Sequence, residues 1–83
     1  MYTQHRKASP EIRRRLSVNL KRLRKARGYT QEELANFCQF DRNYISNVEQ
    51  GRLNVTLASL ETLAKGLGCE EGELLTRNPR RGG

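Results

Sequence analysis

Eighty-three residues, 35% of them hydrophobic, suffice for one small domain and exclude a multidomain enzyme with a deep cavity beside its core. Sixteen Lys/Arg against nine Asp/Glu leave a net charge of +7. The excess is polarised: residues 1–28 carry ten Lys/Arg and one acid, Glu11, whereas residues 29–83 carry six and eight, so a surface facing a polyanion is expected, against the plainer reading of a solvated basic arm.

In chain order, residues 1–8 are polar and basic and predict a disordered arm. Ser9-Pro10-Glu11 predicts a helix start, with serine at the cap, proline at the first helical position and an acid in the positive first turn. Ile12, Leu16, Leu20 and Leu23 then form one apolar stripe on a surface otherwise rich in Arg and Lys, and Gly28 closes the helix. Thr30-Gln31-Glu32-Glu33 has the form of a capping box and predicts a second helix of about eight residues, with Leu34, Ala35 and Cys38 inward. Asp41 is the next cap signal. From it a third helix turns Ile45 and Val48 inward and Arg42, Asn43, Tyr44, Ser46 and Asn47 outward, ending at Gly51.

Two short helices separated by about three residues, the second with a thin apolar edge and a polar outer face, describe a helix-turn-helix. Arg52 to Val55 reads as a loop, Thr56 as a cap, and Leu57, Leu60, Leu63, Ala64 and Leu67 as the inward face of a fourth helix stopped by Gly68. A short fifth helix over 71–76 carries Leu74 and Leu75 and is weakened by Gly72. The expected fold is all-α: a compact bundle of four to five short helices over residues 9–77, followed by a polar, disordered tail over 78–83. Cys38 and Cys69, with His5, are too few for a disulfide framework or a zinc site, and both cysteines fall in apolar phase as small buried hydrophobes. No metal, cofactor, small-molecule ligand or membrane span is expected. With no hydrophobic segment after Met1, a cytoplasmic protein is expected.

The string from Asn19 to Leu75 resembles the phage-repressor/Cro-type (XRE-like) helix-turn-helix family. The residues carrying the resemblance are Leu20-Lys21-Arg22-Leu23-Arg24, Gly28 through Ala35 with Thr30-Gln31-Glu32-Glu33 at its centre, Ile45-Ser46, Glu49-Gln50-Gly51, Asn54, and Leu57 through Gly68. Within the family, Asp41 through Ser46 followed by Asn54-Val55-Thr56-Leu57 is similar to the small controller proteins of restriction-modification systems. The resemblance implies a compact helical bundle that binds operator DNA, usually as a homodimer on a two-fold site. Two positions depart from the family pattern. Gln39 stands where glycine is common, which implies a strained left-handed residue, and Glu70 replaces a small polar cap, which puts the start of the fifth helix in question.

In the helix-turn-helix mode the front of the third helix enters the major groove, so Arg42, Asn43 and Asn47 are the expected base readers: Arg forks onto guanine and Asn onto adenine. Tyr44 and Ser46 carry hydroxyls that reach phosphates, though the Tyr44 ring packing on the protein surface is the other reading. By the resemblance Gln31 holds the DNA backbone, and Arg52 and Asn54 are expected to join it, contacts that set register rather than sequence. Glu49 lies near the negative end of its helix and calls for a cation. The resemblance supplies Arg24 as its structural partner. A dimer surface is expected on the outer sides of helices four and five, including Leu67, Leu74 and Leu75, unless these belong to the core. The function expected is a non-catalytic, sequence-specific regulator of transcription. The alternative is an antitoxin-type module that binds a partner protein and autoregulates its operon.

Overall fold

A computed structural model describes residues 7–77. It consists of α1 (Pro10–Ala26), α2 (Gln31–Cys38), α3 (Arg42–Glu49), α4 (Leu57–Leu67) and α5 (Glu71–Leu75). The arms expected to be disordered, 1–8 and 78–83, lie outside the described residues except for Lys7 and Ala8.

Three of the helix start signals close as their chemistry dictates. The Ser9 hydroxyl accepts the Ile12 N–H at 3.2 Å, Thr56 Oγ1 accepts the Ser59 N–H at 3.1 Å, and Thr30 and Glu33 exchange reciprocal bonds of 3.0 and 2.9 Å, which satisfies helix N–H groups that have no intrahelical partner. Asp41 and Glu70 occupy cap positions without a side-chain cap bond. α5 accordingly runs only five residues, too short to stand on its own propensity. Its C-terminal end is held from α1 instead: fully buried Asn19 donates Nδ2 to the carbonyls of Leu74 at 3.1 Å and Thr76 at 2.8 Å.

Every helix contributes to one core. α1 packs on α3 and α5, α2 on α3 and α4, and α4 on α5. Leu20, Leu34, Ile45, Leu63, Leu67 and Leu74 are fully buried where these faces meet, each worth roughly 1.5–3 kcal/mol relative to exposure. Leu67 and Leu74 therefore belong to the monomer's interior and offer no dimer surface. Leu57 corrects the apolar phase in the other direction. It is the first residue of α4 and 83% exposed, because the chain enters the helix there from the Arg52–Val55 loop before α4 has met the core.

α2 and α4 approach so closely that only glycine fits at one crossing point. A Cβ on Gly66 would lie 2.6 Å from Cys38 Sγ and 3.4 Å from Leu34 Cδ1. Cys38 is buried, its thiol pointing at the Thr62 carbonyl at 3.6 Å, and burial pushes its pKa up so that it stays neutral. Among the described residues no helix is long and apolar enough to cross a membrane.

Candidate nucleic-acid interface

α2 and α3 are joined through Gln39, Phe40 and Asp41. Gln39 sits at φ 59°, ψ 39°, the left-handed conformation implied by its place in the turn, and its N–H and that of Phe40 close onto the last turn of α2. The backbone thus reverses over three residues and starts α3 at Asp41. Ile45 and Val48 bury the inner edge of α3, while Arg42 and Asn43 are exposed and Asn47 half-buried one turn further on.

The far end of α3 is fixed by a polar cluster. Arg24 donates Nε to Glu49 Oε2 at 2.6 Å and Nη2 to Glu49 Oε1 at 3.1 Å, a two-pronged guanidinium–carboxylate pair of the strong kind. Arg24 Nη1 also donates to the Tyr29 carbonyl at 2.8 Å, and Gln31 Nε2 donates to Glu49 Oε1 at 3.0 Å. The two charged side chains keep only 9% and 3% of their exposure. Because α1, the α1–α2 loop, α2 and α3 all enter this cluster, it sets the angle at which α3 leaves the bundle.

The other site residues divide by what already holds them. The Tyr44 ring packs at a tilt of 44° on Phe40 with centroids 4.5 Å apart and lies against the core. Ser46 Oγ accepts from Gln50 Nε2 at 3.0 Å. Gln31 is tied by its amide to Glu49, and Asn54 Oδ1 accepts the Ala8 N–H at 2.8 Å, so the loop after α3 anchors the start of the described chain. Arg42 and Arg52 are exposed and enter no ion pair among the described residues.

Much of the basic charge on α1 is also committed. Arg15 pairs with Glu11 at 2.6 Å, which with Arg77 holds the Glu11 carboxyl below its ordinary pKa. Arg22 donates to Asn19, and Arg27 Nε donates to the Leu67 carbonyl at 2.7 Å, a cation on the negative end of α4. Arg14, Lys21 and Lys25 remain exposed. The bonds of Gln31 to Glu49 and of Ala8 to Asn54 have no signature in residue spacing. Asn19 does have one, as an amide flanked by Val18 and Leu20 on a helix whose apolar stripe passes beside it.

A family model described as a helix-turn-helix domain matches residues 15–76. The chain is 40% identical over 65 residues to the Neisseria hypothetical transcription factor of Neisseria meningitidis, covering 78% of this chain and 61% of that protein's length. It is 39% identical over 67 residues to the control protein C.MunI of a Mycoplasma species, covering 80% of this chain and 90% of the other. Among solved structures, the restriction-modification controller protein C.AhdI from Aeromonas hydrophila superposes with a TM-score of 0.72 at 39% identity, over 75% of this chain and 94% of that one. With a helix-turn-helix built from α2 and α3 and this likeness to regulators and controller proteins, the chain belongs to the helix-turn-helix family of transcriptional regulators.

Proposed function

We propose that the chain is a sequence-specific, non-catalytic regulator of transcription that binds operator DNA as a homodimer, with α3 in the major groove. The observation that carries this reading is the asymmetry of α3: its inner edge and last residue are locked into the bundle, and its front presents Arg42 and Asn43 to solvent. An α-helix with its side chains is about 10–12 Å across, which matches a major groove about 12 Å wide. Asn43 and Asn47 lie one turn apart, about 6 Å along the axis, close to two base-pair steps. Arg42 is assigned to guanine and the two asparagines to adenine. Arg52, Tyr44 and Ser46 are assigned to phosphates, with the Tyr44 ring braced on Phe40 so that only its hydroxyl is offered. Gln31 and Asn54 are assigned to the same backbone contacts through the donor groups that Glu49 and Ala8 leave free.

The test is selection of duplex fragments from a random pool by the purified chain, followed by sequencing. An enriched site with two-fold symmetry and half-sites about 34 Å apart is the expected result. Recovery of no sequence above background overturns the reading.

A further inference from the structure

The chain enters α1 from a fixed point beside the loop that follows α3. Asn54 Oδ1 accepts the Ala8 N–H at 2.8 Å, a bond across 46 positions. A Cβ on Gly51 would stand 3.9 Å from Ser17 Oγ of α1, so α1 and this loop lie against each other. Consecutive Cα atoms are about 3.8 Å apart, and Lys7 therefore emerges beside Asn54 and close to Arg52, the two loop residues assigned above to phosphates.

A carboxamide is the side chain this junction needs, because it accepts and donates at once. In exposed Asn54 the Ala8 N–H takes Oδ1, which leaves Nδ2 to donate outward. Charge adds a second, independent observation. Lys7 is exposed and in no ion pair among the described residues, Arg6 precedes it, and residues 1–10 contain no Asp or Glu. Arg15 on α1, by contrast, is matched by Glu11. Two residues extend over at most about 7 Å, the axial spacing of about two phosphates on one DNA strand.

We propose that Asn54 is a pivot that sets Arg6 and Lys7 on the DNA backbone flanking the half-site, so that the segment before α1 extends the phosphate track begun by Arg52. The proposal rests on the DNA-binding reading of the preceding subsection and adds to it cations that lie outside the helix-turn-helix.

The experiment is fluorescence anisotropy of the full chain and its variants on the selected operator and on a random duplex, between about 50 and 200 mM salt. Arg6→Ala with Lys7→Ala is expected to lower the slope of log affinity against log salt by about 2 per bound chain, so that over this range it loses about tenfold less affinity than the unmodified chain. The change is the same on both duplexes, because backbone contacts carry no sequence, and the urea midpoint is unmoved. Asn54→Ala is expected to weaken binding in the full chain and to weaken it less in the Arg6→Ala, Lys7→Ala background, where no cation remains to be positioned. An Asn54 that only stabilises the loop, or only binds phosphate, costs the same factor in both backgrounds, and that additivity overturns the pivot. An unchanged salt slope without Arg6 and Lys7 overturns the proposal, while operator binding by the full chain leaves the DNA-binding reading standing. A loss confined to the operator overturns it too, since it places these side chains on base edges. A full chain that binds no duplex overturns both.

Discussion

The two ends of α3 are built on opposite principles. At the C-terminal end Glu49 is enclosed by Arg24 and Gln31, with every bond supplied from within the fold. At the N-terminal end Asp41 makes no cap bond, and Arg42 and Asn43 project into solvent. A long, flexible, unpaired side chain reads a base only if its backbone arrives at one place, so the rigid end is what gives the free end its geometry. The polar cost is concentrated where it orients the helix, and the hydrogen-bonding capacity is left open at the end that the proposed function assigns to base contacts.

The largest way to break this contrast is to remove the rigid end. Glu49→Ala leaves the Arg24 guanidinium enclosed without its counter-ion and is expected to cost about 3–5 kcal/mol of stability, read as a fall in the urea midpoint. For a domain of this size that is a large share of the roughly 5–15 kcal/mol available. Replacing both partners with apolar side chains, Arg24→Met with Glu49→Leu, is expected to recover most of the loss, because no charge is then stranded. Unchanged stability in Glu49→Ala would show the pair to be ornamental. At the free end the expected effect is on binding alone. Arg42→Ala loses about 1–3 kcal/mol on the selected operator and relaxes preference at one position, with the urea midpoint unmoved. Arg52→Ala weakens operator and random DNA alike and lowers the slope of affinity against salt. Equal losses on both DNAs for Arg42→Ala would return that residue to the phosphate contacts.

The division between what was legible in sequence and what was not follows the range of the interaction. α1, α2 and α4 announce themselves by Ser9, Thr30 and Thr56, whose cap bonds span three residues, and the inward positions Leu20, Leu34, Ile45 and Leu63 follow from helical periodicity. The pairing of Arg24 with Glu49 spans 25 positions; an acid at a helix C-terminus demands a cation, but it was the family resemblance that named Arg24 as that cation. Where local rules were applied to non-local questions they failed. Leu57 has the right phase for the core and lies outside it, whereas Leu67 follows its inward phase and, with Leu74, takes the core alternative over the dimer-surface one. Asp41 has the right identity for a cap and makes no cap bond. Leu57 and Asp41 both stand where a loop enters a helix, and periodicity carries no information about how the chain enters.

The platform beneath α3 offers a smaller test. α2 presses on α4 at Gly66, and a methyl there would stand 2.6 Å from Cys38 Sγ. In an open helix Gly→Ala is stabilising by about 1 kcal/mol. Here the buried Cys38 side chain must shift to make room, and Gly66→Ala is expected to destabilise by about 1–2 kcal/mol net. In a Cys38→Ala background the obstruction is gone, and the same substitution is expected to change sign. A thermal-melt double-mutant cycle measures the coupling, and additive effects would mean that α2 and α4 separate freely.

The smallest effect belongs to the turn itself. Gln39 is the one described residue other than glycine with positive φ, and a side chain in that region costs roughly 1–2 kcal/mol. Glycine removes that steric cost but adds backbone freedom to the unfolded chain, which opposes it by several tenths of a kcal/mol. Gln39→Gly is therefore expected to raise stability by about 0.5–1 kcal/mol in a urea titration. The turn joins the self-contained helix to the exposed one, so operator affinity is the sharper measurement. If Gln39 only spans the turn, glycine at 39 leaves affinity unchanged while stability rises. A loss of affinity alongside the gain in stability would mean that the stiffness of the glutamine backbone holds Arg42 and Asn43 in register, and that the free end of α3 is positioned from both of its sides.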